Sequence, residues 1–337
     1  MTRSQLTSTV EQNSGGAVTP FTAGKNAIIN GDFKVWQRGT SGTSSYVVDR
    51  WRYDLDGTGG TVTQSQQTFT AGSAPVSGYE GTYYLRFGCS SARSGQTYNV
   101  LNTRLEDVRL FAGQTVTLSY WARVNTGSGS NFSTDIVQNF GSGGSASVTT
   151  SPGAGATLTS SWARYSQTFT IPSISGKTIG TNSFLEVDFN LTANTATVID
   201  LWGVQLEPGA VATPFSLSTS SPANELLACQ RYYVRYTGGF DYPVGVCFST
   251  TTARFPMPLP TNLRSSPTVV DYSNVYGRNN AFSVIGPSSS APTVQSFSGN
   301  FVIFDVAFTT GSFTIGYSTY LIFSQSGGGY IGFGAEL

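Results

Sequence analysis

Apolar and polar residues alternate with a period of two along most of the stretch from Lys25 to Ser218. From Thr115 to Val124 the apolar set is Val116, Leu118, Tyr120, Ala122 and Val124. From Phe184 to Leu191 it is Leu185, Val187, Phe189 and Leu191, set against Glu186, Asp188 and Asn190. Tyr83, Leu85, Phe87 and Cys89 repeat the pattern, and so do Val47, Trp51, Tyr53 and Leu55 with an interruption at Asp49. Successive side chains of a strand point to opposite faces, so each run predicts a strand with one buried and one wet face. Gly- and Ser-rich segments such as Gly127-Ser128-Gly129-Ser130 and Gly141 to Ala146 separate the runs as loops. About eight to ten such strands in roughly 190 residues predict a two-sheet sandwich of the jelly-roll kind.

The alternation stops at Pro208-Gly209 and Pro214. Ser221 then suits a helix N-cap, Pro222 the first helical position and Glu225 the positive end of the dipole; a two-turn helix ending near Gln230 follows. Tyr232, Val234 and Tyr236 resume the period of two. Further on, Phe313, Ile315, Tyr317, Leu321 and Phe323 alternate with Thr314, Gly316, Ser318 and Tyr320. Phe301-Val302-Ile303-Phe304 is apolar on both faces, which predicts a strand covered on both sides. Either a neighbouring subunit or a closed monomeric sandwich supplies that second cover. Residues 1–24 are small and polar without periodicity, and read as a disordered tail or as an arm that orders against a partner. The expected chain is all-β: the arm (1–24), a jelly-roll β-sandwich (25–218), a connecting helix and strand start (219–236), and a C-terminal β-sandwich-like domain (237–337).

Composition narrows the chemistry. Of 337 residues 39% are hydrophobic and only 11% charged, with Lys25, Lys34 and Lys177 the sole lysines, so two cores are affordable and solvated helices are not. Formal net charge is zero, which offers nucleic acid or an anionic membrane no long-range field. A surface so weakly charged is expected to be partly buried against other subunits. Cys89, Cys229 and Cys247 have neither the even number of a disulfide framework nor zinc-ligand spacing. No apolar signal segment or membrane-length run occurs, so a soluble protein made in a cytosol is expected.

Histidine is absent, which removes His-activated nucleophiles, histidine metal sites and the commonest general acid–base group. No phosphate-cradling glycine motif is present. Two carboxylates suffice for glycoside hydrolysis, but Asp54 and Asp56 read as a turn and Glu106-Asp107 as a solvated loop. The expectation is a non-enzyme without catalytic residues or cofactor. Setting the apolar faces inward leaves Arg50 and Arg52, Tyr84 and Arg86, and Trp121 and Arg123 on the other faces. Aromatic rings stack on the C–H faces of sugars and guanidinium groups bind their oxygens, so these six are the candidate carbohydrate-binding residues. The same residue types also mark protein interfaces, so a neighbouring subunit or plain solvent are the other readings. Trp36, Trp51 and Trp202 read as core, Trp202 in one set with Val198, Val204 and Leu206.

Several segments, in this order, resemble the virion structural proteins of tailed bacteriophages. They are Val18-Thr19-Pro20-Phe21, Ile28-Ile29-Asn30-Gly31-Asp32-Phe33, Trp36-Gln37-Arg38-Gly39, Val48-Asp49-Arg50-Trp51, Leu105-Glu106-Asp107-Val108 and Leu118-Ser119-Tyr120-Trp121-Ala122. Gly176 to Asn182, the stretch Gln205 to Phe215 with Asn224 to Tyr233, and the closing Gly334-Ala335-Glu336-Leu337 complete the series. The resemblance implies a homotrimeric tail fibre, joined to other virion proteins through residues 1–24 and adhering to host-surface glycan. A capsid-surface decoration protein and a glycan-degrading tailspike are the alternatives. The jelly-roll part also resembles bacterial carbohydrate-binding modules, whose structural calcium would fall to Asp32 and Asp200. Lys34, standing where those modules carry a Glu, argues against it.

Overall fold

The computed structural model describes residues 25–76, 79–128, 131–153, 155–238, 243–279, 281, 283–310, 313–323 and 328–337. The expected arm, residues 1–24 with Val18-Thr19-Pro20-Phe21, lies outside them. The protein is all-β, with one helix among the described residues.

Two five-stranded antiparallel sheets stand face to face. The first runs β1 (Trp51–Leu55), β4 (Asn99–Leu105), β9 (Phe184–Asn190), β6 (Ser133–Asn139), β7 (Val148–Thr150). The second runs β2 (Thr61–Thr68), β3 (Tyr83–Ser91), β10 (Thr197–Pro208), β5 (Thr115–Gly127), β8 (Ala163–Thr170). Trp51, Tyr53, Leu101, Val187 and Phe189 of the first sheet meet Leu85, Phe87, Leu118, Tyr120 and Leu201 of the second in one core. All but Leu101 and Leu201 are positions the alternation assigns inward, and burying each such side chain contributes ~1.5–3 kcal/mol.

One alternation is broken. The register of β10 on β5 shifts between Trp202 and Gln205, where Gly203 has a φ of 64°. This bulge offsets the period by one residue. Leu201, Val204 and Leu206 therefore point inward, and Trp202 points out of the sandwich beside Asp200. Trp202 is buried as expected, but in a second aromatic cluster on the opposite face of the sheet.

The stretch after β10 folds back as a strap. The buried Glu207 carboxylate accepts the Thr213 N–H at 2.8 Å and its hydroxyl at 2.7 Å, and pairs with Lys25 at 2.7 Å. Gln205 accepts the Ser216 N–H at 2.8 Å, which seats Phe215 5.1 Å from the Trp202 ring. Then α1 (Pro222–Gln230) begins as predicted, with the Ser221 hydroxyl accepting from the Asn224 N–H. Glu225 does more than face a dipole: it is buried and accepts the Asn30 N–H at 2.6 Å.

The remaining strands form two more antiparallel sheets. One is β11 (Tyr233–Thr237), β20 (Tyr330–Gly334), β14 (Val269–Ser273). The other is β16 (Val284–Pro287), β15 (Val275–Arg278), β19 (Ser318–Phe323), β12 (Val244–Cys247), β13 (Thr252–Pro258), β18 (Phe301–Ala307), β17 (Thr293–Phe297). Phe255, Phe304, Leu321, Ile331 and Phe333 belong to their common core. Two expectations change here. Val302, Phe304 and Val306 of β18 are fully buried but Phe301 and Ile303 only partly, so one face alone is closed within the chain. Ile315 and Tyr317, 62% and 54% exposed, lie in a turn before β19, where Gly316 has a φ of 85°.

The two sets of sheets are packed, and α1 is no loose hinge. The Arg50 guanidinium lies 3.4 Å from the centre of the Tyr232 ring and that of Arg38 3.5 Å from the centre of Tyr233. Glu336 accepts from both arginines, and Arg104 donates to the Leu337 carbonyl at 2.6 Å.

Candidate functional site

The outer face of the second sheet carries a cross-strand row. Ser65 of β2 stands opposite Arg86 of β3, Arg86 opposite Asp200 of β10, and Asp200 opposite Arg123 of β5. Directly opposed side chains on one face are ~5 Å apart at Cβ, within reach of long side chains. Arg86 holds the Asp200 carboxylate in a fork, Nε to Oδ1 at 2.7 Å and Nη2 to Oδ2 at 3.0 Å. Arg123 Nε adds a third bond at 2.9 Å, and its Nη2 reaches the Tyr84 hydroxyl at 3.2 Å. Asp200 is fully buried, while the two arginine side chains remain 23% and 29% exposed. The bonds to Asp200 hold the Arg86 guanidinium above its ordinary pKa.

Trp162 flanks this row, its ring centre 4.9 Å from the Arg123 guanidinium, and it is half-buried. Beside it, Trp202 pairs with Trp121 and Trp121 with Arg164, whose guanidinium sits 4.6 Å from the centre of the Trp121 ring.

Of the six candidates, the structure brings four together: Tyr84, Arg86, Trp121 and Arg123. The two aromatic ones are covered rather than offered. Tyr84 and Trp121 are buried in a cluster with Phe69, Trp202 and Phe215, the last supplied by the strap. The remaining two candidates lie elsewhere. Arg50 precedes β1 in a left-handed conformation, φ 71°, and its buried side chain points into the joint at Glu336. Arg52 is on the outer face of the first sheet, 2.9 Å from Asp54. Trp162 escaped the sequence reading because Ser160-Ser161-Trp162 has the look of a loop and the alternation starts only after it.

Of the two carboxylates named for a structural calcium, Asp200 is enclosed by guanidinium N–H groups, and Asp32 accepts from the Tyr79 hydroxyl at 3.1 Å through Oδ2 while its Oδ1 is buried without a partner. No group of three or more His, Cys, Asp or Glu suited to a metal occurs among the described residues. The carboxylate pairs are engaged too. Asp54 takes Arg52 and Asn102; Asp56 caps Thr97 and Tyr98; Glu106 takes Arg231 and Asp107 takes Arg109.

The outer face of the first sheet is acidic. Arg52, Asn102, Asp188 and Asp135 stand in register across β1, β4, β9 and β6. Glu186, bridged to Arg104, and Asp54 flank the row. Burial first, then the charges of Glu186 and Asp135, push the Asp188 carboxyl up to about 8. Asn102 Oδ1 and Asp188 Oδ1 are both buried without a hydrogen-bond partner.

No protein-family model matches the chain, and no curated protein sequence matches it. Solved structures similar to it include the enzymatically active domain of bacteriophage CBA120 tailspike protein 4, at 14% identity and TM-score 0.35, covering 55% of this chain and 22% of that one. A xylan-binding domain from Paenibacillus barcinonensis is similar at 13% identity and TM-score 0.31, over 48% of this chain and 87% of that one. A sugar binding protein from Bacteroides thetaiotaomicron, so described with reserve in its own name, is similar at 14% identity and TM-score 0.33, over 55% and 100%. At these values the likenesses bear on neither ligand nor reaction. Among the described residues, no helix is long and apolar enough to cross a membrane.

Proposed function

We propose that the chain is a non-enzymatic structural protein of a tailed-phage virion, a homotrimeric tail fibre that adheres to host-surface glycan. The observation that carries the adhesive part is the Arg86–Asp200–Arg123 row beside Trp162. A guanidinium offers five N–H donors; among the described residues Arg86 and Arg123 each use two, which leaves three apiece, the two of Nη1 included. Asp200 fixes their planes, so little side-chain freedom is lost when hydroxyl or anionic oxygens dock. Virion membership rests on the ordered motifs from Val18 to Leu337.

In this reading residues 1–24 attach to other virion proteins, 25–218 bind glycan, and 237–337 assemble the trimer. The trimer is supported by Val244, Val246 and Phe248, 47%, 54% and 49% exposed, at the middle strand of the seven-stranded sheet. Three copies would raise a weak glycan contact to useful avidity through effective concentration. Antibody labelling of intact particles together with a glycan array tests it. Label at the tail and binding of a defined saccharide set are expected; label on the capsid alone, or an array without any bound saccharide, contradicts it.

A further inference from the structure

Building on the adhesion proposed above, we infer that the saccharide taken by the Arg86–Asp200–Arg123 face is acidic, bearing a carboxylate, sulfate or phosphate group. The argument begins with charge. The two rows place Arg86, Arg123 and Arg164 against the single carboxylate of Asp200, an excess of two positive charges. Asp200 is fully buried and lies behind the guanidinium groups, so it holds them without masking their outer edges. Glu207 of β10, the acid whose charge acts on Arg164, is already paired with Lys25 at 2.7 Å.

Ring surface points the same way. A neutral sugar is held largely by stacking its C–H face on exposed aromatic rings. Here Tyr84 and Trp121, 7% and 8% exposed, are closed off by Phe69 and the strap residue Phe215, which leaves Trp162 and Tyr79 as half-buried rings of the cluster, Tyr79 with its hydroxyl spent on Asp32. What the face presents is planar N–H donors with surplus positive charge, which is the geometry of carboxylate, sulfate or phosphate recognition. The opposite side of the sandwich has the contrary sign. Asp54, Asp135 and Glu186 outnumber Arg52 and Arg104 there even with Asp188 protonated, so an acidic chain is repelled from that face.

The test is calorimetric titration of the full chain with three probes of matched length: an oligogalacturonate, a sulfated oligosaccharide and a neutral xylo-oligosaccharide. Binding of at least one acidic probe, weakened by raising salt, is expected, since screening acts on exposed charge. Arg123→Gln should lower that affinity about ten-fold or more, whereas Arg109→Gln, which removes the same charge from an exposed loop site, should leave it unchanged. If the neutral probe binds as tightly as both acidic ones and without salt dependence, the inference is overturned and adhesion stands. If no probe from these or a wider glycan array binds, adhesion falls with it. The salt series on the unaltered chain decides the matter even where Arg123→Gln fails to fold.

Discussion

Arg50 and Glu336 form a buried ion pair that ties the start of the sandwich to the end of the second set of sheets. Their side chains are 2% and 11% exposed, and Glu336 also takes Arg38 at 3.1 Å. Arg50 also stacks on Tyr232 and donates through Nη2 to the Arg104 carbonyl. Removing one partner strands the other without compensation, which costs ~3–5 kcal/mol in comparable buried pairs. Glu336→Ala is therefore expected to destabilise the fold by that order in chemical denaturation, and to separate the unfolding of the two sets of sheets into two transitions. A single, unshifted transition would show that the pair does not couple them.

The acidic row makes stability depend on pH with a definite sign. Asp188, raised to about 8, keeps its proton in the folded state long after the unfolded chain has lost it near 4. Between those values the unfolded state binds fewer protons, so stability falls as pH rises through the window, by at most ~1.4 kcal/mol per unit for one group. Asp49, raised to about 6 chiefly by burial, adds the same sign over its lower part. The difference in unfolding free energy between wild type and Asp188→Asn should therefore grow steadily in the variant's favour from about pH 4 to 8 and then level. A difference that stays constant with pH would show that Asp188 ionises normally.

Gly203 sets the faces of β10. A Cβ there would sit 2.8 Å from the Trp121 ring, at a φ of 64° that side chains resist. Gly203→Ala should cost ~2 kcal/mol or more, combining backbone strain with overpacking. The midpoint of urea unfolding reads this directly, and an unchanged midpoint would mean that the bulge is not required.

The seven-stranded sheet should hold the trimer. Val246, opposite Arg254 and Ser318 on the open face, becomes charged in Val246→Glu. Sedimentation should then shift from the three-chain mass toward the monomer while the circular dichroism of the sheets is retained. A monomeric wild type would remove the trimer from the account.

Much of the sandwich was legible because its alternation is local: Val116 to Val124 and Leu185 to Leu191 point where their spacing says. The failures occur where the backbone leaves the strand conformation. Extrapolating alternation back from Trp51 put Arg50 on an outer face, but its positive φ turns the side chain into the joint. Gly203 and Gly316 likewise offset Trp202 and end the alternation at Ile315 and Tyr317. The candidate site was half legible. The pairing of Arg86 and Arg123 about Asp200 needs the order of β3, β10 and β5, which spacing within a strand cannot supply. The covering of Tyr84 and Trp121 needs the strap, which arrives from beyond β10.

The central claim is that glycan meets this chain at the Arg86–Asp200–Arg123 row. The most direct measurement is nuclear magnetic resonance of the indole and guanidinium N–H groups during titration with a bound saccharide. The account predicts that the Trp162 Nε1–H and Arg123 Nε–H signals move together with ligand concentration, while those of Arg52 and Arg104 stay fixed. Shifts confined to Arg52 and Arg104, with Trp162 and Arg123 unmoved, would contradict it.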